Sequence, residues 1–188
     1  IMRVTIITSK ANGIVLVPPS KSMAHRALIC AALSADSSVR NIAYSKDITA
    51  TVDCLRKLGA CMEKDDNCIR IGGLNPFALS EETQLFCDES GSTLRFFIPL
   101  CMLSGRKTTL SGSDRLFERP LTIYEDICRE QGILFEKAKN SVTVCGKLKG
   151  GNYSVPGDVS SQFISGLLFA LPLLEDDSVL TVTGKFES

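Results

Sequence analysis

Tryptophan is absent from the 188-residue chain, histidine occurs once, and aromatic residues amount to only 6%. So few rings argue against a stacking platform for single-stranded nucleic acid. The lone His25 supports neither a Ser-His-Asp set nor a zinc site, and it reads equally well as a packed helix residue. Charge of either sign is not in surplus, because 21 basic residues balance 21 acidic ones. A protein whose main partner is a polyphosphate chain ordinarily carries a basic excess, so no nucleic-acid partner is expected. Long apolar runs are missing too. The longest, Phe163 to Leu174, falls short of the roughly eighteen residues that cross a bilayer and is broken by Gly166 and Pro172. No membrane partner is expected. Gly72-Gly73, Gly91 and Gly150-Gly151 form neither a P-loop nor a GxGxxG fingerprint.

Cysteine, by contrast, is plentiful. The eight lie at positions 30, 54, 61, 68, 87, 101, 128 and 145 and contain no CxxC pair. Most fall on apolar positions of the periodic pattern, which predicts reduced, buried thiols rather than a disulfide scaffold. The first fifteen residues lack the basic-then-apolar pattern of a secretory leader, so a cytoplasmic protein is expected. With 44% apolar residues, 14 glycines and 7 prolines, the chain has the composition of a folded globular protein with a substantial core.

The most informative feature is internal. Gly59-Ala60-Cys61-Met62-Glu63-Lys64 aligns with Gly132-Ile133-Leu134-Phe135-Glu136-Lys137 at an offset of 73, which also carries Thr49, Asp53, Arg56, Asn67 and Gly73 onto Thr122, Asp126, Arg129, Asn140 and Gly146. A repeated supersecondary unit follows from this. Residues 47–58 carry Ile48, Val52, Leu55 and Leu58 at helical spacing, Gly59 serves as a stop, and Cys61–Lys64 with Cys68–Ile71 reads as a hairpin. The second copy has a helix over Leu121–Gln131 and a hairpin from Ile133–Glu136 and Ser141–Cys145. Another helix precedes each of these, at Lys21–Ser34 and Gly91–Leu103, and Ser160–Leu174 is its counterpart in a third unit. Strands at Val39–Ile42, Thr108–Leu110 and Val179–Val182 complete an α/β (α+β) chain of repeated β-α-β-α-β-β units. Val4–Ile7 and Ile14–Val17 read as two further strands that the repeat does not account for.

Hydroxyl residues cluster at the starts of the three first helices: Ser20-Lys21-Ser22, Ser90-Gly91-Ser92-Thr93 and Ser160-Ser161-Gln162. A helix start leaves N–H groups unpaired and partly positive, so it either caps itself or takes an anion. Single caps explain one serine each. The clustering, the accompanying Lys21, Arg26 and Arg95, and the equivalence of repeated units together predict one anion-binding face. Arg119, just before Pro120, lies at the mouth of the next helix and carries the donor fork suited to a carboxylate or phosphate. It could instead pair with Glu118 or Asp47, and Asp47 could be a simple cap. Lys21 is the best proton-transfer candidate.

Four segments in order on these helix starts carry a family pattern: Pro19-Ser20-Lys21-Ser22-Met23-Ala24-His25-Arg26-Ala27, Glu89-Ser90-Gly91-Ser92-Thr93-Leu94-Arg95, Glu118-Arg119-Pro120 and Ser160-Ser161-Gln162-Phe163. Together they resemble the 5-enolpyruvylshikimate-3-phosphate synthase family, the 3-phosphoshikimate 1-carboxyvinyltransferases. The resemblance covers essentially the whole chain but only the first part of a family protein. It implies an enolpyruvyl transferase-like inverse barrel lobe at residues 18–188, with unit one at about 18–73, unit two at 74–149 and an incomplete unit three at 150–188. Residues 1–17 are then strands of an otherwise missing second, C-terminal lobe. The implied reaction transfers the enolpyruvyl group of phosphoenolpyruvate to the 5-hydroxyl of shikimate 3-phosphate and releases phosphate, on the route to aromatic amino acids. It needs no cofactor and no metal, and the implied full-length enzyme is a monomer.

Carried across by motif, Lys21 matches the lysine that touches both substrates and moves a proton. Ser22, Arg26, Ser160, Ser161 and Gln162 match contacts to shikimate 3-phosphate, and Ser188 matches a further phosphate-binding serine. Arg119 matches the arginine on phosphoenolpyruvate, and Gly91 the glycine where a side chain would crowd the inhibitor glyphosate. Glu89 departs from the family's asparagine, and Asp114 from its proline. UDP-N-acetylglucosamine 1-carboxyvinyltransferase, which shares the chemistry, normally has a loop cysteine that Gly105–Pro120 lacks. RNA 3′-terminal phosphate cyclase has related units but finds no nucleotide motif here. A non-catalytic module for small anions is the alternative from another class.

Overall fold

A computed structural model describes residues 3–5, 7, 13–65, 68–79 and 82–185. Its helices start where hydroxyls can cap them. Helix α1 (Lys21–Ala32) follows Ser20, whose hydroxyl accepts from the Met23 N–H. Helix α2 (Lys46–Lys57) is capped by Ser45, α3 (Gly91–Cys101) by Ser90, and α6 (Ser161–Ala170) by Ser160. Helix α5 (Thr122–Gln131) has no side-chain cap, and Gly132 ends it in the left-handed conformation that glycine adopts without strain.

Three sheets accompany the helices. Strands β1 (Ser37–Arg40), β2 (Cys61–Asp65) and β3 (Cys68–Gly72) lie in the order β1-β3-β2, all antiparallel. Strands β4 (Thr83–Phe86), β5 (Thr108–Ser111), β6 (Leu134–Lys137) and β7 (Ser141–Cys145) form a second sheet ordered β4-β5-β7-β6, with β4 parallel to β5. Strands β8 (Gly151–Pro156) and β9 (Ser178–Thr183) pair in parallel. The run β5, α5, β6, β7 has the same order and pairing senses as β1, α2, β2, β3, and β3 lies 73 residues before β7. Asp53–Arg56 and Asp126–Arg129, also 73 apart, both form i,i+3 ion pairs.

Helix α3 is the centre of the molecule. Gly91 and every residue from Thr93 to Cys101 are buried, as expected of a helix that is apolar almost all round. It packs on α6, α1 and α2. Gly166 of α6 sets the closest approach, because a Cβ there would stand 2.5 Å from the Arg95 carbonyl oxygen of α3. Helix α2, which lies between β1 and β2 in the chain, also packs on β4, the first strand of the second sheet.

Several expectations are corrected. Ile14–Val17 is in no strand and its four side chains are exposed, because no neighbouring strand among the described residues offers it a ladder. Val4, Thr5 and Ile7 are also outside any strand, and Ile6 lies outside the described residues. The charged residues of Ser113–Pro120 suggest a loop, but the segment is not all loop. It contains a one-turn helix, α4 (Asp114–Phe117), capped by Ser113. Pro120 lies two residues before α5 rather than in its first turn. Only four of the eight free cysteines are buried, and Cys30 and Cys61 are exposed. Among the described residues no helix is long and apolar enough to cross a membrane.

Candidate functional site

The start of α1 is joined to the start of α2 by an ion pair, Lys21 Nζ to Asp47 Oδ2 at 2.6 Å. Asp47 is therefore neither a cap, since Ser45 fills that role, nor a partner of Arg119. Its carboxylate sits in the first turn of α2, where the helix dipole favours negative charge. One turn along α1, Arg26 donates from Nη1 to the Ser22 carbonyl at 2.9 Å and from Nη2 to Ser165 Oγ on α6 at 3.0 Å. Its guanidinium lies 5.3 Å from the centre of the Phe96 ring. Ser22 itself is exposed.

The starts of α3 and α6 are joined more closely. Arg95 Nη1 donates to Gln162 Oε1 at 2.7 Å, and Gln162 Nε2 donates to Ser92 Oγ at 2.9 Å. Ser160 accepts from the Gln162 N–H, and Ser161, the first residue of α6, is half-buried. Tyr124 Oη donates to the Arg95 carbonyl at 2.7 Å and holds that turn of α3 in place. Gly91 lies between two cations. A Cβ there would be 2.7 Å from Arg119 Nη1 and 3.2 Å from Arg95 Nη1. Arg95 is only 8% exposed and its buried Nε has no partner. Burial first, and then the Arg119 charge, pull its guanidinium below the ordinary arginine range. Among the described residues neither Arg95 nor Arg119 forms an ion pair. Two guanidiniums held this close, neither in an ion pair among the described residues, concentrate positive charge of the kind that suits an anion.

A cavity of about 250 Å³ connects the two halves, lined by Asp47, Glu89, Ser113, Arg115, Leu116 and Arg119. Arg115, carried by the short helix α4, lines this cavity. A roomier groove of about 660 Å³ runs along α2 and β4, but it holds none of the predicted site residues. Gly91, Arg119 and Gln162 are brought together directly. Lys21 is paired with Asp47, which lines the same cavity as Arg119, and Arg26 bonds Ser165 on α6. Ser188 lies outside the described residues.

Beneath the start of α3 runs a buried polar chain. His25 Nδ1 is 2.7 Å from Thr51 Oγ1, Thr51 Oγ1 is 2.8 Å from Thr93 Oγ1, and the Thr93 hydroxyl donates to Ser90 Oγ at 2.6 Å. The Thr93 amide donates to the same Ser90 oxygen at 3.2 Å. His25 is fully buried, and desolvation, with the opposing pull of Asp47 and the push of Lys21 and Arg26, lowers its pKa to about 4. The chain joins α1, α2 and α3 through residues far apart in sequence.

The 3-phosphoshikimate 1-carboxyvinyltransferase of Clostridium kluyveri is 48% identical to this chain over 188 residues, covering 98% of the chain and 44% of the relative. That of Clostridium perfringens is 45% identical over 189 residues, covering 99% and 45%. The chain therefore spans a little under half the length of these curated relatives. Two solved structures of EPSP synthase from Acinetobacter baumannii share its fold with TM-scores of 0.77 and 0.76 at 24% identity, over 94% of this chain and 41% and 42% of theirs. The family model described as EPSP synthase (3-phosphoshikimate 1-carboxyvinyltransferase) matches residues 6–188, and the chain belongs to that family.

Proposed function

We propose that this chain is the N-terminal lobe of an enzyme that transfers the enolpyruvyl group of phosphoenolpyruvate to the 5-hydroxyl of shikimate 3-phosphate. The single observation that supports it best is the pair Arg95 and Arg119 across Gly91, with Arg95 bonded to Gln162 and neither arginine in an ion pair among the described residues. In this reading Arg119 meets phosphoenolpyruvate beside Gly91, while Ser22, Arg26, Ser160, Ser161 and Gln162 hold shikimate 3-phosphate. The repeated β-α-β-α-β-β unit and the inverse barrel belong to the same proposal, as does the second lobe that closes the cleft.

The chemistry suits a divided site. Two polyanions repel each other, and cations contributed from two lobes gather around them only on closure, which also excludes water. The 5-hydroxyl oxygen gives up its proton and adds to C2 of phosphoenolpyruvate as C3 gains a proton, forming a tetrahedral ketal that still carries the phosphate. The bond from C2 to the phosphate oxygen then breaks and C3 gives up a proton. Lys21, held by Asp47 at the rim, is the proton carrier on this lobe. Lys21→Met in the complete protein is expected to abolish phosphate release while leaving the circular dichroism spectrum unchanged, and an unchanged rate would overturn that role. The 188-residue chain alone is expected to show no turnover in the same assay, and normal turnover would refute the division of the site.

A further inference from the structure

The buried hydroxyls beneath α3 favour one arrangement of hydrogens. Thr93 gives its hydroxyl hydrogen to Ser90 Oγ. A hydroxyl has a single hydrogen, so at the 2.8 Å contact between the two threonines Thr51 must be the donor. With the Thr51 hydrogen committed, the 2.7 Å contact to His25 requires the proton on Nδ1. His25 is then the neutral Nδ1–H tautomer, and its buried, partnerless Nε2 is a bare lone pair. An orphaned buried acceptor is better tolerated than an orphaned N–H, so the reverse order, with hydrogens running from Ser90 to His25 and a proton on Nε2, is disfavoured.

We infer that His25, Thr51 and Thr93 form a hydrogen-bond chain polarised towards the start of α3, and that Thr51 is a positioning residue for an anion bound there. This rests on the anion-binding reading of the site. Three successive N–H and O–H dipoles point their positive ends at Ser90, in the sense that reinforces the N-terminal end of the α3 dipole. Ser90 accepts from both the amide and the hydroxyl of Thr93, which fixes the turn that carries Gly91 between Arg95 and Arg119. The Ser90 hydroxyl keeps its own hydrogen outside the chain. The other members of the chain, His25 on α1 and Thr51 on α2, sit on two other helices, so the first turn of α3 is braced from below rather than by its own cap alone.

The tautomer is directly observable, because the chain has a single histidine and its imidazole nitrogen signals need no assignment. In the nitrogen-15 labelled 188-residue chain at neutral pH, Nδ1 is expected to be protonated and Nε2 bare. Thr51→Val, checked for fold by circular dichroism, is expected to release this preference and to weaken phosphoenolpyruvate binding about fivefold by calorimetry, the effect of one hydrogen bond. Thr51→Ser is expected to restore both. A proton on Nε2 in the unaltered chain would overturn the chain's direction, with or without a ligand. A changed tautomer with unchanged affinity in Thr51→Val would overturn the positioning role. If the unaltered 188-residue chain fails to bind phosphoenolpyruvate, the same titration is made in the complete protein, where failure to bind would overturn the functional reading and the positioning role together, while the tautomer still decides the direction of the chain.

Discussion

A methyl group on Gly91 would meet two arginine side-chain ends and no backbone. Helix α3 therefore accepts Gly91→Ala, since alanine is the better helix former, and the guanidiniums are what must move. The expected outcome is an unchanged or slightly raised melting temperature. Binding of phosphoenolpyruvate, measured by titration calorimetry, is expected to weaken about tenfold from the loss of one charge-assisted contact. Lys21, Gly91 and Gln162 stand out in the sequence because each sits at a helix start inside a short motif, and Arg119 because it precedes a proline between α4 and α5. Arg95 is less so. Its neighbours are apolar, and its hydrogen-bond partner is 67 residues away. The same holds for Thr51, whose two partners lie 26 and 42 residues distant and are found only once α1, α2 and α3 are packed.

Helices α3 and α6 meet through Gly166, and that contact also sets the distance between Arg95 and Gln162. A Cβ at Gly166 would press on the Arg95 carbonyl and on Tyr124 Oη, both fixed in the core. Gly166→Ala is expected to cost about 1–3 kcal/mol through overpacking, read as a lower urea midpoint with an unchanged slope. Since Arg95 moves with its turn, phosphoenolpyruvate binding, measured by calorimetry, is expected to fall as well. At this scale the helices were legible from caps and periodicity, and the hairpins from the offset of 73. Strand β4 is too short, and β8 opens on a glycine and an asparagine, so neither announces itself before its parallel partner is known. The turn of α4 was hidden in a segment whose charged residues read as loop. Ile14–Val17 shows the opposite error, since β-branched residues favour a strand that only a neighbouring strand can complete.

Folding holds one imidazole neutral inside the molecule, and this makes stability depend on acidity. The unfolded chain takes up the His25 proton near the ordinary value of 6.5 and the folded one at about 4. Between these values the unfolded state binds more protons, so the contribution is complete above pH 6.5 and is lost as the pH falls towards 4. The loss from this group is no more than about 3 kcal/mol. Urea midpoints followed across that window are expected to fall more steeply for the unaltered chain than for His25→Gln, which cannot take up the proton.

One further property concerns how this molecule keeps company with itself. Strand β9 pairs, among the described residues, only with β8, and Val179 on it is 59% exposed. A bare margin of N–H and C=O groups on the segment Ser178–Thr183, which carries no charge, is a template on which a second molecule can add a strand. Concentrated solutions are therefore expected to scatter light increasingly with time, and Val179→Lys is expected to delay it by placing a charge where another chain would have to dock. A concentration-independent scattering signal from the unaltered chain would mean that the margin is already sealed.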